Sequence, residues 1–176
     1  PYPLYPPYGT HWSYYGMLHA ADSIIRFAER LPNKKLRHIV ITKNETDVQP
    51  RSTDFDLGSL MNMTGKPFKE HALCYPQWHW SPDTNVQHPR LLVISDSSYW
   101  EIYNCGFQQQ CFTGSFWYYN STVYPDSYTK ETLTPSLNLK AELDSADIVM
   151  IMSTTIGLKN FSWDFVKRCN ELYAGK

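Results

Sequence analysis

Apolar residues recur near the start of the chain at Tyr14, Met17, Leu18, Ala21, Ile24, Ile25, Ala28 and Leu31, the spacing of three and four that gives a helix one buried face. This predicts a helix over 14–31, with Ser13 as N-cap and Pro32-Asn33 as its stop. The pattern then changes to short apolar runs. Arg37 to Thr42 reads as a buried strand rich in β-branched residues, and a long polar stretch follows from Lys43 to Arg90. Within that stretch only Leu57 to Met63 suggests a helical turn, and a connection so long inside a compact domain is usually functional or hides structure. Leu91-Leu92-Val93-Ile94 is the strongest strand signal, leaving through Ser95-Asp96-Ser97-Ser98 into the segment 99–104. Phe116 to Val123 reads as a further strand, and Thr134-Pro135 opens a helix running to about Ser145. Asp147 to Ser153 reads as a second fully buried strand, and Ser162 as the cap of a last helix reaching Tyr173. Strands alternating with helices predict an α/β fold: a doubly wound parallel sheet covered on both faces, in one domain over 1–176.

Composition narrows the function. With 176 residues and 42% hydrophobic content the chain can fill one core. A net charge of -1, with scattered basic residues, offers no surface for a phosphate backbone, so nucleic acid is not an expected partner. The longest apolar run, Ile148 to Met152, is strand-sized. The opening Pro-Tyr-Pro-Leu-Tyr-Pro-Pro-Tyr reads as extended, polyproline-like chain without the basic and apolar regions of a signal peptide, and suggests a processed or shortened start. Cys74, Cys105, Cys111 and Cys169 contain no C-x-x-C pair. Cys105 and Cys111 either close a small disulfide loop or remain buried thiols. His19, His38, His71, His79 and His88 show no ligand spacing, so neither a metal nor a cofactor is expected.

Two segments can carry chemistry. Ligands of open α/β sheets bind at the carboxyl ends of the strands, which is where Ser97 falls; its hydroxyl would be exposed at the turn, with backbone N–H groups nearby to hold an oxyanion. The bland alternative is that Ser95, Ser97 and Ser98 cap the next helix. The second segment is Gly9-Thr10-His11-Trp12-Ser13-Tyr14-Tyr15-Gly16, in which His11 lies just before the N-cap of the best helix. Aromatic residues, 15% of the chain and including Trp78-His79-Trp80 and Phe116 to Tyr119, are of the kind that stack on sugar rings, although many must fill the core.

Taken together, His11-Trp12-Ser13 with Gly16, followed by a strand ending in Ser95-Asp96-Ser97, resembles the permuted SGNH hydrolase-like domain of the bacterial alginate O-acetyltransferases, where the histidine block precedes the serine block. Partial resemblance extends to Asp54-x-Asp56-Leu57-x-x-Leu60-Met61-Asn62, Trp117-Tyr118-Tyr119-Asn120 and the run from Asp147 to Leu158. The resemblance implies a flavodoxin-like three-layer SGNH architecture and a carbohydrate O-acetyltransferase or acyl esterase. Ser97 would be the nucleophile and His11 its base, within hydrogen-bond reach of one another. It also implies a carbohydrate or acyl-ester substrate, a membrane-bound protein that donates the acyl group, and a periplasmic or extracellular setting. Asn120, Trp12 and Tyr99 are candidate oxyanion or substrate contacts. The family's aspartate two residues before the histidine is Gly9 here, and Asp54 and Asp56 are the candidate substitutes. That departure keeps two other readings open: a catalytically degenerate module that holds a polysaccharide, and one part of a larger sheet, since only four strands are readable.

Overall fold

Ser13 begins the first helix as its position predicts: its hydroxyl oxygen accepts from the Gly16 N–H at 3.0 Å while its own proton goes to the Pro3 carbonyl at 2.6 Å. In the computed structural model, which describes residues 1–31, 34–61, 69–82 and 85–174, the helix α1 spans Tyr14–Ala28. It stops short of Leu31 because the N–H groups of Arg30 and Leu31 bond three residues back, to Phe27 and Ala28, the tightened last turn common at helix ends. The predicted stop at Pro32-Asn33 lies outside the described residues. The chain divides into two compact units, Pro1–Val86 and Gln87–Lys176.

In the first unit α1 packs on an antiparallel pair of strands, β1 (Ile39–Asp47) and β2 (Leu73–Trp80). Leu18, Ala21 and Ile25 are completely buried, as is Leu36 ahead of β1; each large aliphatic side chain so removed from water contributes about 1.5–3 kcal/mol. The ladder slips between Ile41 and Lys43, where Thr42 bulges out and its hydroxyl donates to the Gln77 carbonyl at 3.1 Å. The long polar stretch is therefore structured. It holds the second half of β1, a 3₁₀ turn over Ser52–Phe55, a short helix α2 (Asp56–Leu60) and all of β2. Of the expected turn at Leu57 to Met63, residues 62 and 63 lie outside the described residues.

The second unit is built on β3 (Leu91–Ser95), every residue of which is buried. β3 lies between β4 (Phe116–Tyr118) and β6 (Ile148–Met152), parallel to both, while β5 (Thr122–Tyr124) closes the far edge antiparallel to β4. The expectation of an all-parallel sheet is corrected: the sheet is mixed, because the predicted strand 116–123 folds back as a hairpin. Tyr119 and Asn120 take φ of 51° and 49°, and the Ser121 N–H closes a turn on the Tyr118 carbonyl at 3.0 Å, within a three-residue connection between the paired Tyr118 and Thr122.

Helices cover both faces of this sheet. On one, Leu92, Ile94, Trp117, Val123 and Phe165 form a core joined by Leu139 and Leu143 of α5 (Leu139–Ser145) and Cys169 of α6 (Phe165–Tyr173). On the other, Phe116 meets Tyr99, Trp100 and Tyr103 of α3 (Tyr99–Asn104), and Gln108 of α4 (Phe107–Cys111) donates to the Leu91 carbonyl at 3.0 Å.

Two boundaries move for local reasons. Thr134 starts a 3₁₀ turn, and α5 begins only after Asn138, whose side chain caps the Ala141 N–H at 3.1 Å. Ser162 is not the N-cap of α6; Asp164 holds that position, and the Ser162 hydroxyl oxygen accepts from Val166 N–H at 3.3 Å. β6 is an edge strand with Val149 42% exposed, not a fully buried one. Cys105 and Cys111 are not joined in a disulfide; the Cys105 thiol donates to the Ile102 carbonyl. Among the described residues no helix is long and apolar enough to cross a membrane, and no group of His, Cys, Asp and Glu is placed to hold a metal ion.

The first unit yields a prediction at Gly16. A Cβ there would lie 2.1 Å from the Leu4 carbonyl oxygen, so the opening segment can lie on α1 only where a side chain is missing. Gly16→Ala is expected to lower stability by about 1–3 kcal/mol and to expose residues 1–8 to protease, measured by thermal melting and limited proteolysis.

Candidate functional site

In the first unit the structure settles which acid meets the histidine. His11 Nδ1 lies 3.0 Å from Asp56 Oδ2, across 45 residues of sequence. The same carboxylate accepts from the Thr10 hydroxyl at 2.6 Å, the Thr10 N–H at 2.9 Å and the Leu57 N–H at 2.7 Å. Burial pushes the Asp56 carboxyl up, but the bonds from the Thr10 hydroxyl and amide, the Leu57 amide and His11 outweigh it and hold it below the usual carboxylate range. An ionised carboxylate only accepts. Thr10, 3.0 Å from Nδ1, has already given its one proton to Asp56. The proton of a neutral His11 ring therefore sits on Nδ1, and the lone pair on Nε2.

Gly9 explains why the acid comes from elsewhere. A Cβ at position 9 would stand 2.6 Å from both Pro6 Cγ and the Thr53 carbonyl oxygen, and 3.1 Å from the Asp54 carbonyl oxygen. The 52–56 segment occupies the space an aspartate side chain would need, and it brings Asp56 to the ring instead. Asp54, the other candidate, is buried and differently engaged. It accepts from the Tyr75 hydroxyl at 2.5 Å and the Arg51 N–H at 3.2 Å, while the Arg51 guanidinium lies 4.0 Å above the Tyr75 ring. Burial, and then the bond to Asp54, raise the Tyr75 phenol. Asp54 fixes the 3₁₀ turn that precedes Asp56. Trp12 stacks on Tyr5 at 4.8 Å and so belongs to the packing of the opening segment on the helix start. Asn62 of the motif lies outside the described residues.

In the second unit Ser97 follows β3 at the carboxyl edge of the sheet. From Leu91 to Tyr99 it is the one residue that is not buried. Its carbonyl accepts from the Trp100 N–H at 3.1 Å. The bland alternative, that the serines cap α3, fails for the Ser98 side chain. Ser98 occupies the N-cap position, but its hydroxyl turns back to Asp96. Asp96 is the centre of this turn. One oxygen accepts from the Ser98 hydroxyl at 2.5 Å and the Ser98 N–H at 3.0 Å, the other from the Thr154 N–H at 2.7 Å and the Thr154 hydroxyl at 2.9 Å. Burial raises its carboxyl, and the bonds from Ser98 and Thr154 outweigh that and lower it. Asp96 thus ties the ends of β3 and β6 together. Gly157 permits this, since a Cβ there would meet Ser153 Oγ at 2.3 Å and Asp96 Oδ2 at 3.1 Å.

Two further candidates are placed elsewhere. Tyr99 is fully buried, with its hydroxyl donating to Gln108 at 2.8 Å; it presents no surface to a substrate. Asn120 gives its amide to the Trp163 carbonyl at 2.7 Å and faces Arg168 through its side-chain oxygen at 3.4 Å, so its side chain latches a turn and is not spare for an oxyanion. His11 with Asp56 belongs to one unit and Ser97 with Asp96 to the other. Sequence reasoning passed over Thr10 and Thr154, whose hydroxyls and amides satisfy the two carboxylates; small polar residues at loop positions carry no signal of such pairing.

No family model matches the chain, and a search of curated proteins finds no match. Among solved structures, the chain is similar to AlgX of Pseudomonas aeruginosa, at 13% identity and a TM-score of 0.40, over 86% of this chain and 36% of that one. The chain thus spans about a third of that protein.

The carboxylates give a pH prediction. Both Asp56 and Asp96 are lowered in the folded state, so what they add to stability is complete above the unfolded-state value near 4 and is lost as pH falls through the lower folded values. Thermal midpoints should fall below about pH 4. Asp96→Asn should cost about 1–3 kcal/mol at neutral pH and flatten part of that acid decline.

Proposed function

We propose that the chain is a serine acyl-transfer domain acting on acyl esters of a carbohydrate, with Ser97 as nucleophile and His11 as its base. The observation that carries this reading is the Asp56 carboxylate on His11 Nδ1 at 3.0 Å, which fixes the tautomer that leaves Nε2 able to accept a proton. In the proposed reaction Ser97 Oγ attacks the acyl carbonyl while Nε2 takes the hydroxyl proton, and that proton passes to the departing alkoxide. The acyl-serine is then attacked by water or a sugar hydroxyl; Nε2 takes the proton of that group and returns it to Ser97 Oγ. The Ser97 amide is the oxyanion donor in this scheme, since the Ser98 amide is committed to Asp96. A membrane-bound acyl donor and a setting outside the cytoplasm belong to the same proposal. Support comes from Asp56 meeting His11 where the family's acid is missing at Gly9 and from Ser97 being half-buried on a turn between the buried Asp96 and Ser98.

The test is release of acetate from a chromogenic ester and from an acetylated oligosaccharide, with fluorophosphonate labelling followed by peptide mass spectrometry. Label is expected on Ser97. Ser97→Ala and His11→Ala should abolish turnover, and Asp56→Asn should lower it by about 10²–10⁴-fold. Turnover that survives Ser97→Ala removes the proposed nucleophile. No turnover and no label in any form would favour a binding module.

A further inference from the structure

We propose that Tyr119 and Trp163 form a subsite for a neutral pyranose ring at the carboxyl edge of the second unit's sheet; that the ring is an acyl acceptor or donor rests on the acyl-transfer reading above. The location follows from register. Ser95 of β3 pairs with Tyr118 of β4 in a parallel ladder, and the Tyr119 N–H donates to the Ser95 carbonyl at 2.8 Å. Tyr119 therefore leaves the sheet on the edge where β3 turns outward to Ser97.

Tyr119 is exposed and Trp163 half-buried, and both are held at some cost. Tyr119 is 41% exposed, and its ring centre lies 5.2 Å from that of Trp163 at 81°, so the pair forms a corner with one face against one edge. The indole is anchored from behind, because Trp163 packs on the core of Leu92, Ile94, Trp117, Val123 and Phe165. Both residues take left-handed backbone angles, φ 51° at Tyr119 and 45° at Trp163, as do their neighbours Asn120, Ser162 and Asp164. Such angles are unusual for bulky residues, and clusters of them gather where a fold must hold groups for binding. The Asn120 amide bonded to the Trp163 carbonyl at 2.7 Å latches the two loops, so the corner is preformed.

The chemistry of the corner selects the ligand. A pyranose has an apolar C–H face bounded by hydroxyls. Tyr119 supplies a flat ring face with a phenolic hydroxyl at its tip, and the exposed Asp164 beside Trp163 supplies an acceptor for sugar hydroxyls. The same carboxylate opposes a uronate, which makes a neutral sugar the fitting occupant. A purely apolar ligand would make no use of the exposed Asp164 carboxylate.

The experiment is calorimetric titration of the full chain carrying Ser97→Ala, so that no turnover intervenes, with gluco-, manno- and galacto-hexaoses and with oligogalacturonate as the acidic contrast. Saturable binding of at least one neutral hexaose is expected. Tyr119→Ala should weaken it by roughly tenfold, and Tyr119→Phe, which keeps the ring, should retain it. The subsite is overturned if no neutral hexaose binds, if only oligogalacturonate binds, or if Tyr119→Ala binds as tightly as its parent. Fluorophosphonate labelling of the unmodified chain keeps the two readings apart. Absent label with saccharide binding intact removes the nucleophile and leaves the subsite, whereas normal label on Ser97 with no binding removes the subsite alone.

Discussion

A carboxylate drawn out of water must be met by donors in place of the solvent it lost, and each unit of this protein carries such an obligation near its candidate residue. In the second unit Asp96 is met by the amides and hydroxyls of Ser98 and Thr154. These four bonds join the exits of β3 and β6, and they commit the Ser98 hydroxyl, with Ser97 half-buried between them. In the first unit Asp56 draws in Thr10, Leu57 and His11. The chemistry proposed for His11 and Ser97 depends on these side chains being oriented before any substrate arrives, and the carboxylates are what orient them.

Much of the fold was legible because its strongest signals are periodic. The stripe on α1, the Ser13 cap and the apolar run of β3 follow directly from residue spacing. What escaped notice had conflicting local chemistry. β2 contains Pro76 and alternates only in its second half, and a proline inside an apolar run normally argues against a strand. Its partner β1 runs on into Lys43, Asn44, Glu45, Thr46 and Asp47, polar residues that fit an exposed strand and resemble a loop in sequence. The hairpin at Tyr119-Asn120 lacks the glycine that usually marks such a turn.

The candidate site was half legible for a similar reason. Ser97 and His11 announce themselves by strand-end and helix-start position. The acid did not, because its choice between Asp54 and Asp56 is made by a 3₁₀ turn two residues long in its effect: Asp54 is spent on Tyr75 and Arg51, and the next carboxylate of that segment reaches the ring. Gly9 looked like a loss from the sequence. In the structure it is the vacancy that lets the 52–56 segment approach.

β6 has a consequence beyond the site. It ends the sheet with Ile-Val-Met-Ile-Met on an edge, the kind of apolar border along which protein chains add to one another and aggregate. The strand is only five residues long. At its start, the Asp147 carboxylate accepts from the Arg90 N–H at 2.8 Å and sets a charge at the mouth of the ladder. Within its own sheet this border is kept short and carries a charge at its start, and an insertion that lengthened β6 would extend the apolar edge on which chains can pair.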